Sequence, residues 1–165
     1  MHCYDAILKT AETRLNDAKL LLKEGRYGGA FYLAGYSVEL HFKAKICRNF
    51  RVPQLFDFGV KSDQVVKSIN LFTNQNLQKS REAMDEVRKS LKKHNLYLLL
   101  IYSGLKHKYD EYINKSPEIF NSISFLMNNW DENIRYQTQS NPDHNSDIIQ
   151  VFNFIEDYLK WILES

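Results

Sequence analysis

Residues 25–44 read GRYGGAFYLAGYSVELHFKA, and the helical hairpin that this stretch predicts decides the fold. Upstream, apolar residues recur at steps of three and four, the spacing of one helix face: Leu8, Ala11, Leu15, Ala18 and Leu22. Gly25 then stands where the end of a helix needs left-handed backbone. A second helix is predicted from Ala30 to about Asn49, and its small residues, such as Ala34, let the first helix approach closely. The two helices therefore form an antiparallel hairpin.

After the hairpin, the helical periodicity of apolar residues is first lost and then resumes. Pro53 and the absence of apolar spacing predict an irregular connection from Arg51 to Gly59. A third helix is predicted with Ser62 as its N-cap and with a buried face of three apolar residues, Val65, Ile69 and Phe72. The sequence here indicates a helix.

Two further helical stretches follow, and how they join stays open. Residues Ser80 to Lys93 carry only a thin apolar stripe and are otherwise charged, so this helix is predicted to be largely solvated. Leu96 to Tyr102 is apolar on every side, which predicts a helix buried all round at the centre of the bundle. From Ser80 to Asn114 the pattern is compatible with one helix or with two.

The C-terminal half ends in two clear helices. Ser116-Pro117-Glu118 is an N-cap, a first-turn proline and a first-turn acid, and it begins a helix. The last helix again steps by four and three, through Ile148, Phe152, Ile155, Leu159 and Ile162. Since strand-like alternation is nowhere sustained, we predict an all-α, up-and-down helical bundle of about five to six helices, with residues 1–165 forming one domain.

Composition fits this class and excludes several others. The 165 residues are 44% hydrophobic and 25% charged, as in an ordinary globular protein, and the formal charge of +2 is too small to imply nucleic-acid or membrane binding by bulk electrostatics. No secretory signal and no apolar run long enough to span a bilayer is visible. We therefore expect a cytoplasmic protein with no membrane association, and with Cys3 and Cys47 as reduced thiols.

Familiar catalytic and cofactor motifs are missing from the sequence. It has no GxGxxG, Walker, HExxH or GxSxG pattern, and its five histidines lack the i, i+3 or i+4 spacing of a helical metal pair. We expect neither a metal nor a cofactor.

Two places nevertheless concentrate residues that bind or react. Glu39 lies in an apolar stretch with Lys43 one turn later; it is either part of an ion pair at the rim of a helix or a carboxylate held in a cleft and paired with a distant base such as Arg135. Arg135 has aromatic neighbours at Trp130 and Tyr136, and its guanidinium suits phosphate or carboxylate. Capping of the preceding helix is the alternative role of Arg135.

A cluster of basic residues follows the charged helix. Lys89, Lys92, Lys93 and His94 have the charge to contact phosphates, but three acids precede them, Glu82, Asp85 and Glu86. The pattern therefore favours a solvated helix face.

The hairpin resembles the opening of HEPN domains. The resemblance rests on Leu15-x-x-Ala18-x-x-Leu21-Leu22 and on Gly25-Arg26-Tyr27-x-x-Ala30 through Lys43-Ala44. His94-Asn95-Leu96 is similar to the family's later His-x-Leu helix start, and Trp130 through Arg135-Tyr136 is similar to its Trp…Arg-Tyr segment. The pieces occur in the family's order and span most of the chain, while the segment around 51–89 looks divergent or inserted relative to the family.

The resemblance implies a helical bundle that usually dimerises, in a family of ribonuclease toxins, nucleotidyltransferase-linked relatives and catalytically silent binding versions. In the ribonucleases, four to six residues separate an arginine from the histidine that follows it. Arg135 matches that arginine, but the window holds Ser140, Asn141 and Pro142, and His144 lies beyond it. Without an imidazole in the window, acid–base cleavage of RNA lacks its usual proton carrier.

We therefore predict a HEPN-like binding module that is a homodimer and is not an enzyme, acting with a nucleotidyltransferase partner or binding nucleotide or RNA. The residues expected to bind the ligand are Glu39, Tyr36, Lys43, His94, Arg135 and Tyr136. One alternative is a metal-independent ribonuclease toxin of a prokaryotic toxin–antitoxin or phage-defence system, with Arg135 and His144 as its catalytic pair. Another is a structural helical adaptor.

Overall fold

The computed structural model describes residues 3–52, 54–57, 59–68, 77–136 and 141–165, with the backbone alone at Cys3, Ser68, Leu77 and Tyr136. The helices are α1 (Cys3–Lys23), α2 (Tyr27–Phe50), α3 (Ser62–Ser68), α4 (Leu77–Leu91), α5 (Leu96–Tyr102), α6 (Lys106–Ile113), α7 (Pro117–Asn129) and α8 (Asn145–Glu164). Short 3-10 helices span Glu132–Tyr136 and Pro142–His144. The described part of the chain contains no strand, which confirms the all-α class. It contains eight α-helices, so the predicted five to six is too few.

The predicted hairpin of α1 and α2 is confirmed. At its turn Gly25 has a φ of 68°, and the N–H groups of Gly25 and Arg26 donate to the carbonyls of Leu22 and Leu21 over 3.0 and 2.9 Å. This is the Schellman arrangement, in which a left-handed residue satisfies the last carbonyls of a helix. Further from the turn, the Ser37 hydroxyl donates to the Ala11 carbonyl over 2.9 Å, as expected for antiparallel neighbours.

The centre of the bundle is α2, which packs against α1, α5, α8 and the 3-10 helix Glu132–Tyr136. The prediction that Leu96–Tyr102 would be buried all round is wrong. In α5 Leu96, Leu99 and Leu100 are buried, but Tyr97 is 37% exposed and Ile101 is 59% exposed. With only seven residues, α5 packs one face on α2 and leaves its other apolar face uncovered within the chain.

Residues Ser80 to Asn114 form three helices, so both alternatives left open by the sequence, one helix or two, are wrong. The first, α4, ends at Leu91, and the Asn95 side chain caps the second, α5, by accepting from the Leu98 N–H over 2.8 Å. Gly104, with a φ of 74°, then separates α5 from α6. Glycine adopts left-handed backbone at little energetic cost, and a residue in this conformation interrupts the hydrogen bonds of a helix.

The start of α3 differs from the prediction, and part of the pattern predicted around this helix lies outside the described residues. The Lys61 carbonyl accepts from the Val65 N–H over 3.2 Å, so Lys61 precedes the helix and Ser62 is its first residue rather than its N-cap. The Ser62 hydroxyl instead accepts from Arg88 over 3.1 Å. Three residues of the predicted pattern, Pro53, Ile69 and Phe72, lie outside the described residues.

The two last helices are confirmed. The Ser116 hydroxyl accepts from the Ile119 N–H over 3.1 Å, with Pro117 in the first turn of α7. The buried residues of α8 are Ile148, Val151, Ile155, Tyr158, Leu159 and Ile162, and they contact α2 and α7. Among the described residues, no helix combines the length and the apolarity needed to cross a bilayer.

Candidate functional site

Glu39 lies at the middle of α2 with its side chain fully buried, and two cationic groups share its carboxylate. Lys43, one turn further along α2, pairs with Oε1. Nδ1 of His94, from the connection between α4 and α5, lies 2.8 Å from Oε2. A buried carboxylate needs charged or hydrogen-bonding partners, and these two supply one for each oxygen. Three residues predicted to bind a ligand therefore lie in contact, although whether they bind one stays a prediction.

His94 bridges two carboxylates. Its Nε2 lies 3.1 Å from Oε2 of Glu132, in the 3-10 helix Glu132–Tyr136, while its Nδ1 faces Glu39. Each ring nitrogen of His94 therefore faces a carboxylate oxygen. The His94 side chain is 35% exposed, which leaves one edge of the ring available to solvent or to a ligand.

Neither sequence alternative for Glu39 describes this geometry fully. A Glu39–Lys43 pair at a solvated rim is excluded because the carboxylate has no exposure and Lys43 has 11%. The distant base that contacts Glu39 is His94, and not Arg135 as suggested. No local sequence pattern indicated Glu132, because its segment shares no helical periodicity with the segments that carry Glu39 and His94.

A shallow cleft of about 390 Å³ opens beside His94. It is lined by Lys92, Lys93, His94, Asp131, Glu132 and Asn133. Three basic side chains therefore face two acidic ones over the cleft. Lys89 is not part of it; its ammonium pairs with Glu86 at 2.8 Å on the exposed face of α4, and this ion pair raises the pKa of Lys89.

The remaining predicted ligand-binding residues lie around this cluster. Tyr36 is partly buried and stacks on Tyr32, with ring centroids 6.3 Å apart. Burial raises the pKa of Tyr36, and the charge of Glu39 raises it further. Arg135 is exposed on the 3-10 helix, one turn after Glu132, which in this type of helix places the two on the same side. The side chain of Tyr136 lies outside the described residues.

Gly35 and Trp130 hold the 3-10 helix against α2. The Trp130 indole nitrogen donates to the Tyr32 carbonyl over 2.9 Å. A Cβ on Gly35 would lie 2.1 Å from Cδ1 of the indole, so only glycine leaves room for the ring. The sequence carried a signal for this contact, since a glycine inside a helix often marks a close approach.

A second cavity, of about 230 Å³, lies on the other side of the 3-10 helix. Its apolar surface comes from Phe31, Phe125, Ile134 and Ile148, and its polar surface from Asn129, Asp131, Asn141 and His144. The His144 ring meets Phe125 edge-on at 5.4 Å. Asp131 lines both this aromatic pocket and the cleft at His94, so the two cavities are neighbours. The sequence did not predict the pocket, because its walls come from four separate segments.

No metal centre is apparent in the part of the chain that the structure describes, where no three His, Cys, Asp or Glu side chains are grouped to hold an ion. Glu39 and Glu132 do not converge, because the His94 ring lies between them.

Comparison with known proteins gives one match. The family model described as "HEPN domain" matches residues 4–93, more than half of the chain. No curated protein and no solved structure matches significantly. The matched range contains α1 to α4 with Glu39 and Lys43, and it ends one residue before His94.

Proposed function

This chain belongs to the HEPN domain family, and we propose that it is a non-catalytic helical module that binds a nucleotide or RNA at the 3-10 helix Glu132–Tyr136. One observation carries this proposal. The cation-bearing cleft at His94 and the aromatic pocket at His144 share Asp131 as a common wall. A nucleotide has the same two halves, an anionic phosphate and a flat base.

The aromatic pocket has the chemistry to hold a base. Phe31 and Phe125 offer ring faces and edges, and stacking on aromatic side chains is how proteins bind unpaired bases. Around them Asn129 and Asn141 present amides, and Asp131 presents a carboxylate, which are groups that pair with the hydrogen-bonding edge of a base.

The cleft has the chemistry to hold the phosphate. Lys92 and Lys93 contribute ammonium groups, and His94 contributes an N–H that Glu39 keeps oriented. Glu39 thus acts through His94 as a positioning residue. Glu132 competes with a phosphate for the second N–H, so ligand binding has to displace it.

We test the proposal by calorimetric titration with uridine and with uridine monophosphate. Replacing Lys93 by Gln should weaken the monophosphate by about tenfold, since a charged hydrogen bond contributes roughly 1.5–3 kcal/mol, and should leave the nucleoside unchanged. Lys9→Gln, an exposed charge removed from α1, is the matched control and should change neither ligand. Equal loss in both variants, or no binding of either ligand by the wild type, would contradict the proposal.

Arg135 gives an independent arm of the same experiment. If its guanidinium binds the anionic ligand, Arg135→Ala abolishes binding and leaves the fold intact. If it only caps the end of α7, the same change lowers the free energy of unfolding by about 1 kcal/mol or less and alters no binding.

A ribonuclease is the second candidate, and the position of His144 favours it. His144 and Ile134, the residue before Arg135, line the same aromatic pocket, so the two candidate catalytic residues belong to segments that meet at this pocket. Incubation of total RNA with the wild type, Arg135→Ala and His144→Ala, with melting temperatures as controls, decides the matter. We expect no cleavage by the wild type. Cleavage by the wild type that both variants lose would establish the ribonuclease. If the wild type neither binds a nucleotide or RNA nor cleaves RNA, the structural adaptor is the hypothesis that remains.

Family membership also supports two partners, a second copy of this chain and a nucleotidyltransferase. Co-expression with a nucleotidyltransferase encoded beside it, followed by co-purification, tests the second.

A further inference from the structure

A larger cleft, of about 500 Å³, lies between α3 and α4 and belongs to no site described above. Its walls are the chain from Val60 to Asp63 and one face of α4, with Arg81, Asp85 and Arg88 at steps of four and three, and Lys92 directly after the helix. Five basic side chains line it, Lys61, Arg81, Arg88, Lys89 and Lys92, against two acidic ones, Asp63 and Asp85. In a chain whose formal charge is only +2, this is a local concentration of positive charge.

Arg88 holds the two walls of the cleft together by hydrogen bonds. It is 93% buried, with 7% exposure, and its guanidinium donates to the Val60 carbonyl over 2.8 Å and to the Ser62 hydroxyl over 3.1 Å. A further bond reaches the Asp57 carbonyl. These contacts fasten the connection before α3 onto α4, so the basic side chains stand on fixed backbone.

The cleft is continuous with the proposed nucleotide site. Lys92 lines both the α3–α4 cleft and the cleft at His94, and Lys93 follows it into the latter. Basic side chains therefore line two neighbouring clefts that meet at Lys92, one beside α3 and one beside the 3-10 helix Glu132–Tyr136. One nucleotide would occupy only the second of these clefts and the aromatic pocket next to it.

We propose that the α3–α4 cleft binds the backbone phosphates of a single-stranded RNA whose terminal or unpaired nucleotide occupies the His94 cleft and the aromatic pocket. This inference rests on the proposed function. The ligand is single-stranded because a base that enters the pocket must be unpaired. It is longer than a nucleotide because Lys61 and Arg81 line the α3–α4 cleft and do not line the cleft at His94, where the phosphate of one nucleotide is proposed to bind.

The test compares uridine monophosphate with oligouridylates of increasing length, for the wild type, for the double variant Lys61→Gln, Arg81→Gln and for Lys79→Gln. Lys61 and Arg81 are exposed, so removing their charge spares the fold, and Lys79 is an exposed cation of α4 outside the cleft. Wild-type affinity should rise with length. The double variant should lose about tenfold for the longest strand and nothing for the monophosphate. The slope of log K against log salt concentration should fall by roughly 0.7 for each phosphate contact removed.

Two results would overturn the inference. One is equal affinity of the wild type for the monophosphate and for every strand. The other is an equal loss of strand affinity in the double variant and in Lys79→Gln. Either result leaves the proposed function standing if the monophosphate still binds and still depends on Lys93. Failure of the monophosphate to bind the wild type would instead remove the proposed function itself.

Discussion

Two ionisable side chains of α2, Glu39 and His41, are buried two residues apart and have different partners. The carboxyl group of Glu39 lies between Lys43 and His94. His41 is 5% exposed, and its Nδ1 lies 2.8 Å from the Ser37 carbonyl, a bond that the N–H tautomer makes by donating. Burial lowers the pKa of His41, and the hydrogen bond to Ser37 and the charge of Glu12 only partly oppose it.

We predict that His41 makes the protein less stable in acid. Because its pKa is lower in the folded chain than in the unfolded chain, the unfolded chain binds a proton first. Stability is therefore lost as the pH falls below about 6.5, the ordinary value for histidine, with a slope of at most about 1.4 kcal/mol per pH unit, until folded His41 is itself protonated. Urea denaturation at pH 7.5 and 5.5 measures the loss.

The variant His41→Gln should lose less free energy of unfolding between these two pH values than the wild type. His107→Gln removes a histidine that is 87% exposed in its side chain and should keep the wild-type loss. The same pH dependence in all three proteins would contradict a role for His41.

Among single residues, sequence reasoning reached those with a local signal. Glu39 and Lys43 are one helical turn apart, and His94 stands before a helix start, so each was named in advance. Glu132 and the polar residues of the aromatic pocket have no such signal. They meet the others only because Gly35 admits the Trp130 ring against α2, and that contact depends on the packing of distant segments.

At the scale of elements, we predict that the α1–α2 hairpin depends on small residues. Ala34 is fully buried, so Ala34→Leu should overpack the core and lower the free energy of unfolding by about 1–3 kcal/mol. The same replacement at Ala83, which is exposed on α4, is the control and should have little effect. Thermal denaturation compares the two, and equal melting points would count against this packing.

The elements that sequence reasoning found are those with long periods or marked ends. The hairpin, α7 and α8 each have an apolar stripe of several turns, and Gly25 and Ser116 mark the end of α1 and the start of α7. In contrast, α5 and α6 are seven and eight residues long, too short for a period to distinguish one face from another. The burial of α5 was therefore overestimated, and α6 was not distinguished as a separate helix.

For the whole molecule, we predict a homodimer that forms through the exposed face of α5. Tyr97 and Ile101 lie one turn apart on it, and a bond of 2.8 Å from the Asn49 side chain to the Ser103 carbonyl holds its end near Phe50, which is 51% exposed. An apolar face of this kind is more stable when a second copy covers it, and a two-fold interface is the commonest arrangement.

Sedimentation equilibrium at concentrations of about tens of micromolar tests this, since a stable dimer persists there. Ile101→Asp should shift the wild-type dimer to monomer. Leu20→Asp, a control at an apolar residue of α1 that is 61% exposed, should not. A wild type that is monomeric throughout this range would rule out the dimer.

The indole of Trp130 has an optical consequence. The chain has two tryptophans, and Trp161 stacks on Tyr112 and Tyr158 in the aromatic core between α6 and α8. Trp130 instead packs against Gly35 and leads directly into the 3-10 helix at which the ligand is proposed to bind. In a Trp161→Phe background, intrinsic fluorescence would therefore come from one indole beside the site, and its emission would follow occupancy without any attached dye.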